Sequence, residues 1–345
     1  MELQYLLLGL GAVVVVAAVS VCCFMCVICL KYQKVISRIF EEKPLFLKKF
    51  APKSDFDIED TSFKTSDGLN LKGSYIRTSA MERRGVILFL PEYGAGRLTC
   101  LNYAKPLLES GFDLFTFDFR NMGESDAEPH YEPLQWVTNH EVMDAQAAIA
   151  HLKERFDAPS DAEGIGLFGV SRGAGVGVIV ASKEPWVRCV LTDGMFGTIN
   201  TMIHYMQKWI EIYGKLNWLR PYLPPLFYRI LSRTTLWSVG RRRHCWFPSM
   251  KYALGRLAPR PLFMIHGAAD SYIRAPIAEG LYRLAREPKE FWLVEGAKHN
   301  QAVVVQPEIY AQKIRRFFLQ NLAAKPIAVP EQPSLALGLQ GTARG

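Results

Sequence analysis

The stretch Gly169-Val170-Ser171-Arg172-Gly173 decides the fold. An apolar run that predicts a strand, 165–170, leads into it, and a run of small residues that predicts a helix, 174–182, follows it. A serine between two glycines at a strand-to-helix turn is typical of a nucleophile elbow, because glycine lets the backbone take the cramped turn that exposes the hydroxyl. The pattern alone arises by chance in roughly one chain in ten of this length. The identification therefore depends on partners elsewhere in the chain.

An acid and then a base are expected downstream, since in this architecture the order is serine, acid, histidine. Asp270 lies just past a predicted buried strand, 261–267, and His299 follows the next predicted strand, 291–294. If Asp270 is the acid, the order selects His299, because the other six histidines all precede Asp270. We predict that Ser171 is the nucleophile, His299 the base and Asp270 the orienting acid.

Two other carboxylates remain alternatives. Asp118 and Asp193 each follow a strand-like run. Either can cap a turn, and Asp193 can also replace Asp270 as the acid. The six earlier histidines are interpreted as structural residues.

Around these residues the chain resembles the α/β-hydrolase superfamily, over roughly residues 56–322. The segment 111–126 looks like the family's fourth strand and the D-x-R-G-x-G-x-S loop after it, with Asn121 in place of the usual glycine. The resemblance implies an α/β fold with a mostly parallel sheet flanked by helices.

The segment 85–94 resembles the family's third strand and its oxyanion loop. By this resemblance, the backbone N–H groups of Arg172 and Tyr93 form the oxyanion hole. Glu92 stands where the family usually has glycine, and its side chain is expected to alter the loop.

The N-terminal segment is apolar, with no charged residue from 5 to 30. As a helix it would rise ~39 Å, more than the ~30 Å hydrocarbon core of a bilayer. A signal peptide would begin with basic residues, so we predict a retained transmembrane anchor over 1–30. Lys31, Lys34 and Arg38 follow at once, and the positive-inside rule then predicts a catalytic domain on the cytoplasmic face.

The rest of the chain divides by composition. Residues 31–53 are basic and aromatic and predict an interfacial connector, residues 54–323 form the hydrolase domain, and residues 324–345 predict a disordered tail. Four of the seven cysteines lie in the apolar N-terminal segment, and no pair recurs at zinc spacing. We expect no disulfide framework, no metal and no cofactor.

An insertion at 197–255 carries the charge of the protein. It holds nine basic residues and one acidic residue, so its net charge equals the +8 of the whole chain, and it holds four of the seven tryptophans. In the superfamily this is the position of a lid, so we predict a helical cap whose basic and aromatic residues contact the membrane. The alternative is core packing with a solvated charged face. Nucleic-acid binding is not expected, since no recognition motif is present.

These features predict a membrane-anchored serine hydrolase that cleaves a carboxylic ester or thioester with an apolar acyl chain. A peptidase of the same fold is one alternative, because esters and amides pass through similar tetrahedral intermediates. The other is a catalytically idle scaffold that recruits partners to a membrane. The intact serine, acid and histidine set favours an enzyme.

Overall fold

The computed structural model describes residues 2–42, 53, 55–156, 164–213, 223–322 and 327–328. The strands in these ranges are β1 Ile58–Lys64, β2 Asn70–Ile76, β3 Glu82–Arg83, β4 Gly85–Leu90, β5 Phe112–Phe117, β6 Ile165–Val170, β7 Val187–Asp193, β8 Leu262–Gly267, β9 Lys289–Val294 and β10 Ile327–Ala328. The helices are α1 Glu2–Glu41, α2 Leu101–Leu108, α3 Asn139–Arg155, α4 Arg172–Ala181, α5 Thr198–Tyr213, α6 Pro225–Arg243, α7 Met250–Leu257, α8 Ala275–Leu284, α9 Ala302–Val305 and α10 Pro307–Asn321.

Eight strands form one sheet in the order β1-β2-β5-β4-β6-β7-β8-β9. The pairs β1/β2 and β2/β5 are antiparallel, and every pair from β5 to β9 is parallel. Strands β5, β6 and β8 are buried along their whole length, as expected for parallel strands covered on both faces. The predicted α/β fold with a mostly parallel sheet is confirmed.

Helices cover both faces of this sheet. One apolar cluster joins the sheet to α3, α4 and α7, and a second joins it to α2 and α10. Because the parallel strands share a direction, their carboxyl ends meet at one edge, where ligand sites form in open α/β sheets.

The predicted helical cap is confirmed in the described part of the insertion. Helices α5 and α6 pack on each other in a third apolar cluster, while α7 packs against α4 in the main core. Cap residues 214–222 lie outside the described residues.

Helix α1 continues well beyond the predicted anchor, so the first part of the predicted connector belongs to the same helix. Its last turns pack against α6. Phe40 is fully buried, its ring stacks on Trp136 at 4.8 Å, and its carbonyl accepts a hydrogen bond of 2.8 Å from the Trp136 indole. The end of α1 is therefore part of the folded domain.

Among the described residues, one helix, Leu7–Glu41, is long and apolar enough to cross a membrane, a test that a signal sequence near the N-terminus also passes. Connector residues 43–52 lie outside the described residues. So does the predicted tail, 324–345, apart from Ile327–Ala328, which pair antiparallel with β3.

Candidate active site

Ser171 lies at the sharp turn between β6 and α4. Its backbone has φ 52° and ψ −115°, a conformation that non-glycine residues rarely adopt. A Cβ on Gly169 would lie 2.5 Å from Ala174 Cα, and a Cβ on Gly173 would lie 2.2 Å from the Leu90 carbonyl oxygen. Both glycines are therefore required by the close approach of backbone on either side of the serine.

The structure brings the three predicted catalytic residues together. Ser171 Oγ lies 2.9 Å from His299 Nε2, and His299 Nδ1 lies 2.6 Å from Asp270 Oδ2. The other Asp270 oxygen accepts hydrogen bonds of 2.8 Å from the backbone N–H groups of Tyr272 and Ile273. With its side chain fully buried and both oxygens bonded, Asp270 holds the imidazole in one orientation.

The two alternative carboxylates have other partners. Asp193 accepts a hydrogen bond of 3.1 Å from the Tyr310 hydroxyl, and Asp118 forms an ion pair of 2.7 Å with Arg97. The carboxylate in hydrogen-bond contact with His299 is that of Asp270.

A second histidine, His266, lies beside the same acid. Its Nε2 lies 2.7 Å from the Ile273 carbonyl oxygen, to which it donates, and 3.7 Å from Asp270 Oδ2. Burial lowers the pKa of His266. The ring is therefore neutral at pH 7 and supports the Asp270 loop without adding a charge.

The side chains of the two residues predicted to supply the oxyanion donors, Arg172 and Tyr93, are in contact. Arg172 is the first residue of α4, where backbone N–H groups lack a partner within the helix and the helix dipole is positive. The Arg172 guanidinium lies 5.0 Å from the centre of the Tyr93 ring. Its Nη1 donates to the Leu134 carbonyl at 2.9 Å and lies 3.2 Å from Glu141 Oε1. The charged side chain is thus engaged in the core, which leaves the backbone N–H as the group of Arg172 for the predicted oxyanion role.

Glu92, which stands where the family usually has glycine, connects two loops of the site. Its Oε1 accepts a hydrogen bond of 2.9 Å from the Tyr103 hydroxyl, and its Oε2 accepts one of 2.5 Å from Asn300 Nδ2. Asn300 follows His299 directly and has φ 54°. The Glu92 side chain therefore connects the predicted oxyanion loop to the loop that carries His299.

Sequence reasoning missed Asn300 and Glu141. No motif marks Asn300, whose role depends on a contact with a residue far away in the chain. Glu141 did carry a signal, because Thr138 and Glu141 have the spacing of a helix capping box, which the structure contains. Glu141 also accepts a hydrogen bond of 2.6 Å from the Tyr131 hydroxyl, so it links the start of α3 to Arg172.

One cluster in the described residues has the geometry of a metal site: the ligand atoms of Asp67, Glu128 and His140 lie within 4.8 Å of one another. Arg120 Nη1 lies 2.7 Å from the Asp67 carboxylate, 2.8 Å from that of Glu128 and 3.0 Å from His140 Nδ1. The guanidinium already supplies the cation that this cluster needs.

The cap reaches the catalytic residues through two tyrosines. The Tyr272 ring lies edge-on to His299 at 5.1 Å, and the Tyr205 hydroxyl of α5 donates to the Tyr272 carbonyl. Ser171 is only 5% exposed, so its hydroxyl lies below the protein surface. The cap cluster is apolar and includes Trp136, Phe196, Met202, Met206 and Ile273.

Known proteins share this architecture. A model of the alpha/beta hydrolase family matches residues 87–313, more than half of the chain. YfhR of Escherichia coli O157:H7 is 26% identical over 271 residues, which cover 76% of this chain and 81% of YfhR. MT2364 of Mycobacterium tuberculosis is 26% identical over 263 residues, which cover 76% of this chain and 79% of MT2364.

Among solved structures, the Pyrococcus furiosus esterase Pf2001 superposes with a TM-score of 0.58 at 20% identity, covering 82% of this chain and 98% of that chain. The structural likeness supports the fold, and the family match extends from β4 to the middle of α10, which includes the elbow and the His299 loop. The chain belongs to the alpha/beta hydrolase family.

Proposed function

We propose that the protein is a serine hydrolase of carboxylic esters or thioesters. The observation that carries the proposal is the unbroken run of contacts from Ser171 Oγ through His299 to the buried Asp270 carboxylate, at a strained elbow. A serine hydroxyl needs such a base and such an acid to act as a nucleophile. Family membership supports a hydrolase.

In the proposed reaction, Ser171 Oγ attacks the acyl carbonyl while His299 Nε2 accepts the hydroxyl proton. The backbone N–H groups of Arg172 and Tyr93 stabilise the oxyanion. His299 then gives the proton to the leaving group, and the acyl–enzyme remains. A water molecule, deprotonated by His299, releases the acid. Asp270 keeps the imidazole in the required tautomer and stabilises its charged form.

The apolar cap cluster supports a substrate with an apolar acyl chain. Trp136, Phe196 and Met202 are buried in that cluster, and Tyr272 connects the cap to His299. A hydrocarbon chain gains free energy by leaving water for such surroundings.

We further propose that α1 is a retained membrane anchor with the catalytic domain on the cytoplasmic side. Retention is supported by the packing of Met25 against the cap cluster, because cleavage near residue 30 would remove that contact. The basic residues after the apolar segment support the cytoplasmic side.

The test of the hydrolase proposal is the variant Ser171→Ala. It should lose labelling by a fluorophosphonate probe and nearly all hydrolysis of a small soluble ester, while the fold is retained. Ser182→Ala is the matched control, because Ser182 is also buried but its hydroxyl donates to the Ile179 carbonyl at the end of α4. Labelling of Ser171→Ala at the wild-type level would refute the proposal, and an intact enzyme that turns over amides faster than esters would favour the peptidase.

A further inference from the structure

Helices α1 and α6 run side by side in the same direction. Gln33 Nε2 donates to the Thr234 carbonyl at 3.4 Å, and Arg242 forms an ion pair with Glu41. In each pair the two partners are 201 positions apart in sequence, so the two helices keep one register over these turns. On that register the first turns of α6 lie level with residues 24–30 of α1, and Met25 packs against the cluster that contains Phe227. The start of α6 thus lies beside the apolar segment of α1.

The outer face of α6 is exposed and mostly apolar in its first half. Leu226 is 61% exposed, Ile230 is 46% exposed and Trp237 is 64% exposed. Together with Arg233 and Arg241 they recur every three or four residues, so the five side chains lie on one face of the helix.

The order of residues along this face matches the order along α1. Leu226 and Ile230 lie level with the end of the apolar segment, while Arg233, Trp237 and Arg241 lie level with the basic segment 31–41 that follows it. A segment at a membrane interface typically has apolar residues toward the hydrocarbon core and arginine and tryptophan at the level of the headgroups. Arg229 is exposed among the apolar positions, where an arginine lays its aliphatic stem along apolar surface and keeps its charged group in water.

Two of the basic residues at the end of α6 serve another purpose. Arg242 pairs with Glu41, and Arg243 pairs with Glu41 at 3.1 Å and with Glu132 at 2.6 Å. Their ion pairs hold α6 against α1 and the domain. Arg241 instead lies over the Trp237 ring at 5.0 Å, and both line a surface groove of about 560 Å³ with Arg233.

We propose that α6 is a second membrane contact, with Leu226 and Ile230 at the edge of the hydrocarbon core and with Arg233, Trp237 and Arg241 among anionic lipid headgroups. The inference rests on the proposed anchor, because α1 sets the depth of α6. A bilayer is the occupant that fits this face, because the face lies beside the part of α1 that we propose to cross the membrane. A soluble partner at this position would have to displace lipid. The contact places the cap against the membrane surface.

The experiment uses the full-length protein in vesicles of phosphatidylcholine and phosphatidylglycerol whose acyl chains are brominated near the headgroup. Bromine quenches tryptophan on contact, so Trp237→Phe should remove a clear part of the lipid-quenchable fluorescence. Trp292→Phe is the matched control, because Trp292 is partly exposed on β9, away from α6. This variant should leave the lipid-quenchable fluorescence unchanged. Arg233→Gln with Arg241→Gln should reduce quenching of Trp237 in these vesicles but not in pure phosphatidylcholine.

Resistance to carbonate extraction separates the two proposals. If the protein resists extraction and Trp237→Phe leaves the quenchable fluorescence unchanged, α1 is an anchor and the contact by α6 is refuted. If carbonate releases the protein from the vesicles, the anchor is wrong, and the inference about α6 falls with it. Neither result bears on hydrolysis, which the fluorophosphonate label reports separately.

Discussion

Asp270 and Asp193 both lie at the carboxyl edge of the sheet and differ in what their carboxylates contact. Asp270 meets His299 Nδ1 at 2.6 Å, whereas Asp193 accepts from the Tyr310 hydroxyl at 3.1 Å. Since an orienting acid acts through its contact with the imidazole, the two residues should respond differently to loss of charge.

Asp270→Asn should lower kcat for a small soluble ester by about four orders of magnitude, because an amide favours the wrong imidazole tautomer. Asp193→Asn should change kcat little, since an amide oxygen still accepts from Tyr310. Steady-state kinetics of the two variants decide between them. A large loss in Asp193→Asn together with a small loss in Asp270→Asn would assign the acid to the earlier strand.

At the same scale we propose Asn300 as a positioning residue, because its side chain donates to Glu92 and the residue follows His299 directly. Asn300→Ala should lower kcat roughly 10- to 100-fold with KM unchanged, which corresponds to loss of a hydrogen bond to a charged group worth about 1.5–3 kcal/mol. Tyr103→Phe is the control, because it removes a different hydrogen bond of Glu92 and leaves Asn300 in place. A rise in KM at constant kcat would contradict this role.

At the scale of the element, α1 combines two surfaces. Its apolar first part is exposed in the fold, while Ile36 and Phe40 near its end are buried against the domain. Loss of the last turns of α1 would lower the stability of the folded domain, because these turns contribute to the packing of the cap cluster.

Phe40→Ala should therefore lower the free energy of unfolding by about 3–5 kcal/mol, the usual cost of truncating a buried phenylalanine. Val35→Ala is the matched control on the same helix, because Val35 is exposed, and it should cost no more than about 0.5 kcal/mol. Denaturant unfolding of the full-length protein in detergent measures both. Equal stability of the two variants would show that the end of α1 does not pack on the domain.

At the scale of the whole molecule, fully and partly buried histidines couple stability to pH. Burial lowers the pKa values of His151, His204 and His266 below the value of about 6.5 found in unfolded chains. Below that pH the unfolded chain binds protons that the folded chain does not bind. Their contribution to stability is present above pH ~6.5 and decreases as the pH falls.

The contribution of His151 to the midpoint of denaturant unfolding should thus decrease when the pH falls from about 7.5 to about 5.5, while Asp144, whose pKa burial raises to about 6, acts in the opposite direction. His151→Phe should reduce this decrease, because phenylalanine keeps the stacking of His151 between Phe63 and Phe115, at 5.3 and 5.4 Å, and does not titrate. An identical pH dependence in the variant would show that His151 binds protons equally in the folded and unfolded chains.

The sequence by itself determined what depends on neighbouring residues. Glycines flank Ser171 because backbone on both sides leaves no room for a Cβ, and a steric requirement of this kind appears as a local motif. Periodicity likewise predicts strands, helices and the long apolar segment, because each follows from the spacing of side chains along one element.

Tertiary structure decided what depends on contacts between distant segments. It placed Asp270, and not Asp193, against His299, and it directed Glu92 to Asn300, more than 200 residues away. It also paired Arg242 and Arg243 with Glu41, although sequence composition grouped both arginines with the basic residues of the cap. Composition and motif describe which charges are present, but only the packing of α1, the cap and the sheet determines which partner each charge meets.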